Sequence, residues 1–329
     1  MHSNKRNFIN LSDIKKEELN KILKRARQLK KLRTKGTSFK NTLAKINLAM
    51  IFEKPSTRTR VSFEIAIKEL GGQAIILDES TTHLARGETV ADTARVLDKY
   101  CQIFMIRTTN HNKLLEYQNY ANAPIINGLS NLSHPCQVMA DIMAFEENRE
   151  TILKKKITWM LDLNNVLFSW VEAANIFGFD LYIAHPKQIK LSKELKKISH
   201  GKKNIIFTQN VEKAIHNSNC IITDTWFSMG SKKNAISAKY FKRYQVNEKN
   251  IIGANPKVVF MHCLPAKRGE EVTKEVIDNK EISIVWDEAE NRLHIQKAIL
   301  EWCLKKYNVE NIYLIKFYII IRWLCLSIY

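Results

Sequence analysis

The chain has 329 residues, and 52 Lys and Arg against 33 Asp and Glu leave a formal net charge of +19. At 45 % hydrophobic and 26 % charged it has a globular composition, which excludes a disordered or fibrous chain, and its length favours two domains of ordinary size. Six dispersed cysteines (Cys101, Cys136, Cys220, Cys263, Cys303 and Cys325) without any C-x-x-C pair argue against a zinc cluster and are weak evidence for a disulfide framework.

The charge could serve nucleic acid, an acidic membrane face or an anionic substrate. Its lysines are spread in short runs, such as Lys154-Lys155-Lys156 and Lys196-Lys197, and none is interleaved with aromatics as a stacking platform would be. The surplus therefore reads as solvated helix faces, and no nucleic-acid partner is expected. The first residues hold no apolar core of a secretory signal, so a reducing cytoplasm is the expected compartment.

In chain order, Phe8 to Leu32 is predicted as an entry and a helix, with Ser12 as N-cap and Leu19, Ile22, Leu23 and Ala26 as its apolar stripe. Ile46–Phe52 is a short apolar run, hence a buried strand. Phe63, Ala66, Ile67 and Leu70 give a helical stripe closed by Gly71-Gly72, and Ala74–Leu77 is the next strand. Strands at Ile103–Ile106 and Pro124–Asn127 and a helix at Gln137–Glu147 follow, and the charged stretch Glu146–Lys156 reads as a domain junction. A second series repeats the alternation: strand Ile157–Leu161, a helix from about Val166 to Phe177, then strands Leu181–Ala184, Ile205–Phe207, Cys220–Thr223 and Val258–Met261. Strands alternating with helices mean parallel sheets with both faces covered. The tail Ile312–Tyr329 is nearly all apolar, but Lys316 and Arg322 inside it would be costly in a bilayer, so membrane contact is not expected.

The most specific segment is Phe52-Glu-Lys-Pro-Ser56-Thr57-Arg58-Thr59-Arg60, between a strand and a helix. Free N–H groups, hydroxyls and guanidiniums at a helix start make an anion site. An ordinary capped helix would not choose two arginines there, because they oppose the dipole; a bound oxyanion removes the conflict. Arg107 ends a strand and His134-Pro-Cys-Gln137 precedes a helix, so both belong to the carboxyl edge of a sheet, where ligands bind in such folds. In the second half Asn164-Asn165, Asp224 and His262-Cys263-Leu264-Pro265 each follow a strand. The residues thus describe a cleft between an oxyanion-binding and an amine-binding domain, suited to group transfer from a phosphorylated donor to an amine.

Six motifs carry a family resemblance: Phe52–Arg60 (FEKPSTRTR), Asp92–Leu97 (DTARVL), His134–Gln137 (HPCQ), Asp224–Gly230 (DTWFSMG), His262–Pro265 (HCLP) and Glu290–His294 (ENRLH). In order and spacing, from about Phe8 to about Tyr307, the chain resembles the ornithine carbamoyltransferase family of the wider aspartate/ornithine carbamoyltransferase superfamily. The resemblance implies an α/β protein of two doubly wound parallel-sheet domains, with the site in the cleft between them and N- and C-terminal helices crossing over. It implies a carbamoyl phosphate-binding domain at 1–148, an ornithine-binding domain at 149–290, a returning helix at 291–308 and an unassigned tail at 309–329. It further implies a homotrimer with shared sites, no metal or organic cofactor, and the reaction of carbamoyl phosphate with L-ornithine to give L-citrulline and phosphate.

Carried over by position, the resemblance gives Ser56, Thr57, Arg58 and Thr59 to the phosphate, and Arg107, His134, Gln137 and Arg292 to the carbamoyl group, with Arg107 and His134 polarising its carbonyl. Asn165, Asp224, Ser228 and Met229 would grip ornithine, Cys263 with Asp224 would take the δ-ammonium proton, and the Leu264 carbonyl would face the carbamoyl amide. Departures from the family pattern are His83, where a Gln reaching a neighbouring subunit is usual, Leu161 and Leu163 in place of two glycines, Phe168 and Lys267. If either glycine supplied a positive φ, Leu would strain that loop. The intact set of charged residues favours catalysis; a degenerate binding homologue and a carbamoyltransferase for another amine such as putrescine are the alternatives.

Overall fold

The computed structural model describes residues 5–36, 42–226 and 239–305. The predicted Ser228, Met229 and the apolar tail lie outside these residues.

The first half builds a parallel sheet in the order β2-β1-β3-β4, from β1 (Asn47–Phe52), β2 (Gln73–Asp78), β3 (Ile103–Arg107) and β4 (Ile125–Leu129). Every residue of β3, and all of β1 but its first, is buried, as expected of strands covered on both faces. Helix α2 (Thr57–Glu69) follows β1 and packs Phe63, Ala66 and Ile67 inward; Gly71 then adopts φ +91°, the left-handed turn that ends the helix. Helices α3 (Val90–Leu97), α4 (His111–Tyr120) and α5 (Pro135–Asn148) complete this half.

The second half is a five-stranded parallel sheet in the order β7-β6-β5-β8-β9, from β5 (Lys156–Met160), β6 (Asp180–Ala184), β7 (Ile205–Thr208), β8 (Cys220–Thr223) and β9 (Val259–His262). Helix α6 (Asn165–Phe177) links β5 to β6, and α7 (Lys193–Ser199) and α8 (Val211–Ile215) continue the alternation. After the short α9 (Glu248–Ile252) and α10 (Lys274–Ile277), α11 (Val285–Cys303) returns to pack on α2, α5 and α1 (Lys16–Thr34). Both crossing elements are therefore present. Among the described residues no helix is long and apolar enough to cross a membrane.

Two expectations require correction. Ser12 does not cap α1, which starts after Lys15 with no side-chain cap; it sits in a separate turn, Leu11–Asp13. Its hydroxyl instead donates to Glu172 of α6 at 2.5 Å, and the Leu11 and Ser12 amides donate to the same carboxylate. A tertiary partner outcompetes the local cap. The strand predicted to end at Leu161 stops at Met160, because Leu161 takes φ +93° while its side chain is fully buried. That conformation costs a branched side chain on the order of 1–2 kcal/mol, whereas burying Leu contributes about 2–5 kcal/mol relative to Ala. Burial wins, and the strained residue persists.

This ordering has a measurable consequence. Both Leu161→Ala and Leu161→Gly should destabilise the protein, but the glycine variant should be the more stable of the two, by about 1 kcal/mol in denaturant unfolding, because it alone relieves the φ strain. A less stable glycine variant would show that Leu161 carries no strain.

Candidate active site

Strands β1 and β3 lie side by side with Phe52 opposite Arg107, so the loop after β1 and the Arg107 guanidinium share one edge of the first sheet. Glu53 fixes that loop: its amide donates to the Arg107 carbonyl, and its carboxylate accepts from Thr108, Thr109 and Lys113. Burial works against the Glu53 anion, but these donors outweigh it and bring the carboxyl down to about 2. Ser56 caps α2 by accepting from the Thr59 amide, leaving Thr57 and Arg58 exposed in the first turn.

Thr59 is the focus of this side. It is 1 % exposed, and its hydroxyl oxygen accepts from Arg292 at 2.9 Å and from Arg107 at 3.4 Å. The other arm of Arg292 donates to Gln137 Oε1. Burial, then the charges of Arg292 and Arg58, pull Arg107 down to about 10, so it stays cationic at neutral pH. His134 stands at the N-cap position of α5 without a side-chain cap bond, and Pro135 opens the first turn. Burial and the same three guanidiniums push its imidazole well below the usual histidine range, and its buried Nδ1 has no hydrogen-bond partner among the described residues. A neutral imidazole beside three guanidiniums is suited to polarise a carbonyl and cannot add a fourth charge.

Opposite lies an anionic face. Asp224, just beyond β8, accepts from Asn164 Nδ2 at 2.7 Å and from the Thr225 amide at 2.7 Å, and is hydrogen-bonded to Cys263. Burial first, and Asp224 second, drive the Cys263 thiol well above its ordinary range, so it stays a neutral thiol. Leu264 takes φ +56°, and its carbonyl accepts from Arg58 at 2.6 Å. This bond joins the phosphate-type loop of the first sheet to the end of β9 in the second.

The structure thus assembles Arg58, Thr59, Arg107, His134, Gln137 and Arg292 on one wall and Asp224, Cys263 and Leu264 on the other. Asn165 does not reach Asp224; its Nδ2 donates to the Ser130 carbonyl at 2.7 Å, across the two halves. His83 is exposed in the turn His83–Arg86, with no hydrogen bond or ion pair to its side chain among the described residues, so it is not joined to the cluster. Asn164 was not assigned a role from the sequence, although Asn after a strand and before an apolar helix signals an N-cap. It is that cap, accepting from the Val166 and Leu167 amides, and the same side chain orients Asp224.

Asp224, His262 and Cys263 place ligand-type atoms within 4.8 Å of one another. His262 is already committed, however: its Nδ1 accepts from the Leu264 amide at 2.9 Å and its Nε2 faces Glu271 at 3.3 Å. With both ring nitrogens engaged, the trio serves as a hydrogen-bonded support for the loop and does not fit a metal.

Comparison with known proteins covers both halves of the chain. The model for the aspartate/ornithine carbamoyltransferase, carbamoyl-P binding domain, matches residues 6–147, and that for the Asp/Orn binding domain matches residues 153–303. An ornithine carbamoyltransferase of Nitrobacter winogradskyi is 48 % identical over 300 residues, spanning 91 % of this chain and 97 % of that protein. One of Brucella ovis is 49 % identical over 303 residues, spanning 91 % and 96 %. Among solved structures, ornithine carbamoyltransferase from Pyrococcus furiosus superposes with a TM-score of 0.85 at 42 % identity, covering 90 % of this chain and 96 % of that one.

The Asp224–Cys263 pairing can be read chemically. In Asp224→Asn the anion that holds the thiol up is gone, so alkylation of Cys263 by iodoacetamide near about pH 8.5, followed by peptide mass spectrometry, should accelerate several-fold. An unchanged or slower rate would mean that Asp224 does not control this thiol.

Proposed function

The chain belongs to the aspartate/ornithine carbamoyltransferase family, and from that premise we propose that it transfers the carbamoyl group of carbamoyl phosphate to the δ-amine of L-ornithine, giving L-citrulline and phosphate. The observation that carries this reading is the convergence of Arg107 and Arg292 on Thr59, with Arg58 bonded to Leu264 and Arg292 acting on Cys263, which brings the guanidiniums beside the turn that carries the thiol.

In this reading Ser56, Thr57, Arg58 and Thr59 hold the phosphate at the start of α2, and Arg107, His134, Gln137 and Arg292 hold the carbamoyl group. The ornithine δ-ammonium meets Asp224, gives up its proton there, and the neutral nitrogen attacks the carbamoyl carbon while the Cys263 thiol holds Asp224 in place. The bond from that carbon to the phosphate oxygen then breaks, the departing phosphate takes the second proton of the nitrogen, and its charge falls on the α2 N-terminus and its arginines. Catalysis is positioning plus electrostatic stabilisation by preset donors, with no covalent enzyme intermediate. Leu264 offers its carbonyl to the carbamoyl amide once Arg58 turns to the phosphate. Asn165, Ser228 and Met229 grip the α-amino and α-carboxylate groups of ornithine. The exposed His83 supports a homotrimeric assembly in which that side chain completes a neighbour's donor site, and the compartment is the cytoplasm.

The test is colorimetric citrulline formation with carbamoyl phosphate and, in parallel, ornithine, putrescine or aspartate. Ornithine alone should support turnover; product with putrescine only would reassign the acceptor, and no product with any amine would favour a binding homologue. Arg58→Ala should raise KM for carbamoyl phosphate at least tenfold, about 1.4 kcal/mol. Cys263→Ala should lower kcat for ornithine while leaving carbamoyl phosphate affinity within about twofold; a normal rate would show that Asp224 does not need the thiol to hold it.

A further inference from the structure

Directly behind Gln137 lie two carboxyl groups that the reaction above does not use. Asp141, one turn along α5, is 1 % exposed, and Glu288, in the first turn of α11, is 2 % exposed. Gln137 Nε2 donates to Asp141 Oδ1 at 2.8 Å and to Glu288 Oε1 at 2.7 Å, and the two carboxyls are hydrogen-bonded to each other. Two buried carboxyls that converge on one amide repel each other as anions, and a proton held between them leaves the pair a single negative charge. The other oxygen of Glu288 accepts from the His262 amide at 3.0 Å, next to Cys263.

We propose that Asp141 and Glu288 are positioning residues for carbamoyl transfer: together they accept both protons of the Gln137 amide, which turns Gln137 Oε1 toward Arg292, and Glu288 ties the His262–Cys263 turn to the same point. The logic is one of acceptor count. A flipped Gln137 would aim an NH₂ group at a guanidinium and leave an oxygen against two carboxyls, so the pair permits only one orientation. Arg292 is then held between Gln137 and Thr59, and no carboxylate among the described residues is bonded to it. The pair thereby sets the direction of a guanidinium on the donor wall and the height of the thiol on the acceptor wall.

The surroundings allow the proton to stay. Burial, and for Glu288 the neighbouring Asp141, push both carboxyls above the ordinary carboxylate range. The groups facing them are the Arg292 cation on α11, the Cys220 thiol on β8, with Arg149 beyond it, and the Cys263 thiol after β9. The two thiols are raised by burial and stay neutral, so Arg292 is the principal charge acting on the pair. The His262 ring next to the bonded amide is engaged by Leu264 and Glu271.

The proposal rests on the carbamoyl-transfer reading, and two single-atom replacements separate it from that reading and from simple space-filling. Asp141→Asn supplies one acceptor to Gln137 and one donor to Glu288, reproducing the pair with its single charge and no shared proton. Glu288→Gln cannot accept from both Gln137 and His262. In citrulline assays on folded wild type and both variants, Asp141→Asn should keep kcat/KM for carbamoyl phosphate within about threefold, while Glu288→Gln should lower it at least tenfold, with little change in KM for ornithine.

Melting temperature between about pH 5 and pH 8 gives a second readout. A carboxyl protonated when folded and ionised when unfolded makes stability fall as pH rises, so wild type should lose stability over this range more steeply than Asp141→Asn, which has no proton to lose. Equal activity losses in the two variants, no loss in either, or identical pH slopes for wild type and Asp141→Asn would each overturn the proposal. If Glu288→Gln fails to fold, the activity and pH slope of Asp141→Asn decide alone. An inactive wild type would instead overturn the carbamoyl-transfer reading itself.

Discussion

Buried guanidiniums drawn to a single threonine hydroxyl are the constraint on which this molecule turns. Charges of like sign in a low-dielectric site repel strongly, and a fold relieves that by adding carboxylates or by supplying neutral acceptors. Here the neutral route dominates around the cleft: Arg292 is held by the Thr59 hydroxyl and the Gln137 carbonyl, and Arg58 by the Leu264 carbonyl. Neutral oxygens fix direction without cancelling charge. The buried carboxyls Asp141 and Glu288 stand one layer back, insulated by the Gln137 amide and reduced to one negative charge by a shared proton. The positive potential therefore stays at the surface of the cleft, where an anionic leaving group would draw on it.

The parallel sheets explain why the two walls can meet. In both sheets the functional side chains follow strand carboxyl ends: Phe52 and Arg107 in the first, Thr223 and His262 paired in the second. Hydrogen bonds that cross between the halves then fix one edge against the other. Asn165 donates to the Ser130 carbonyl, the His134 amide to Ser169, the Leu11 and Ser12 amides to Glu172, and Gln137 to Glu288. Most of these partners are buried or half-buried, where an unmade bond would be expensive, so relative placement is set by polar satisfaction as much as by apolar packing.

How much of this could be read from the chain depended on whether the signal was local. Strand runs and helix stripes gave the βα alternation, with ends displaced by one or two residues where a tertiary interaction intervened. Residues with a role at a strand end, such as Arg107, Asp224 and Cys263, were visible because α/β folds place ligands there and because the motifs recur in a known family. Ser12 misled because a helix cap and a tertiary donor look alike in sequence, and only the arrival of Glu172 from residue 172 distinguishes them. Asp141 and Glu288 were invisible for a stronger reason: each is an ordinary acidic residue on a helix, 147 positions apart, and their meaning exists only where α5 and α11 touch. The Leu161 substitution was legible as a risk, and the structure turned the risk into a φ of +93°.

Leu161 and Leu264 also show how this site divides its tolerances. Both have positive φ, and both follow strands whose next polar residues matter. At Leu264 the unusual backbone directs a carbonyl toward Arg58, so the conformation itself has a use. At Leu161 the side chain is buried in the core and the amide still donates to the Ala184 carbonyl, so the sheet edge is intact despite the strain. What lies downstream is equally preserved, since Asn164 still caps α6 and still holds Asp224. Strain absorbed by apolar burial before the cap never reaches the carboxylate. A leucine here thus carries a backbone strain that its own burial outweighs, without changing the electrostatics that the chemistry requires.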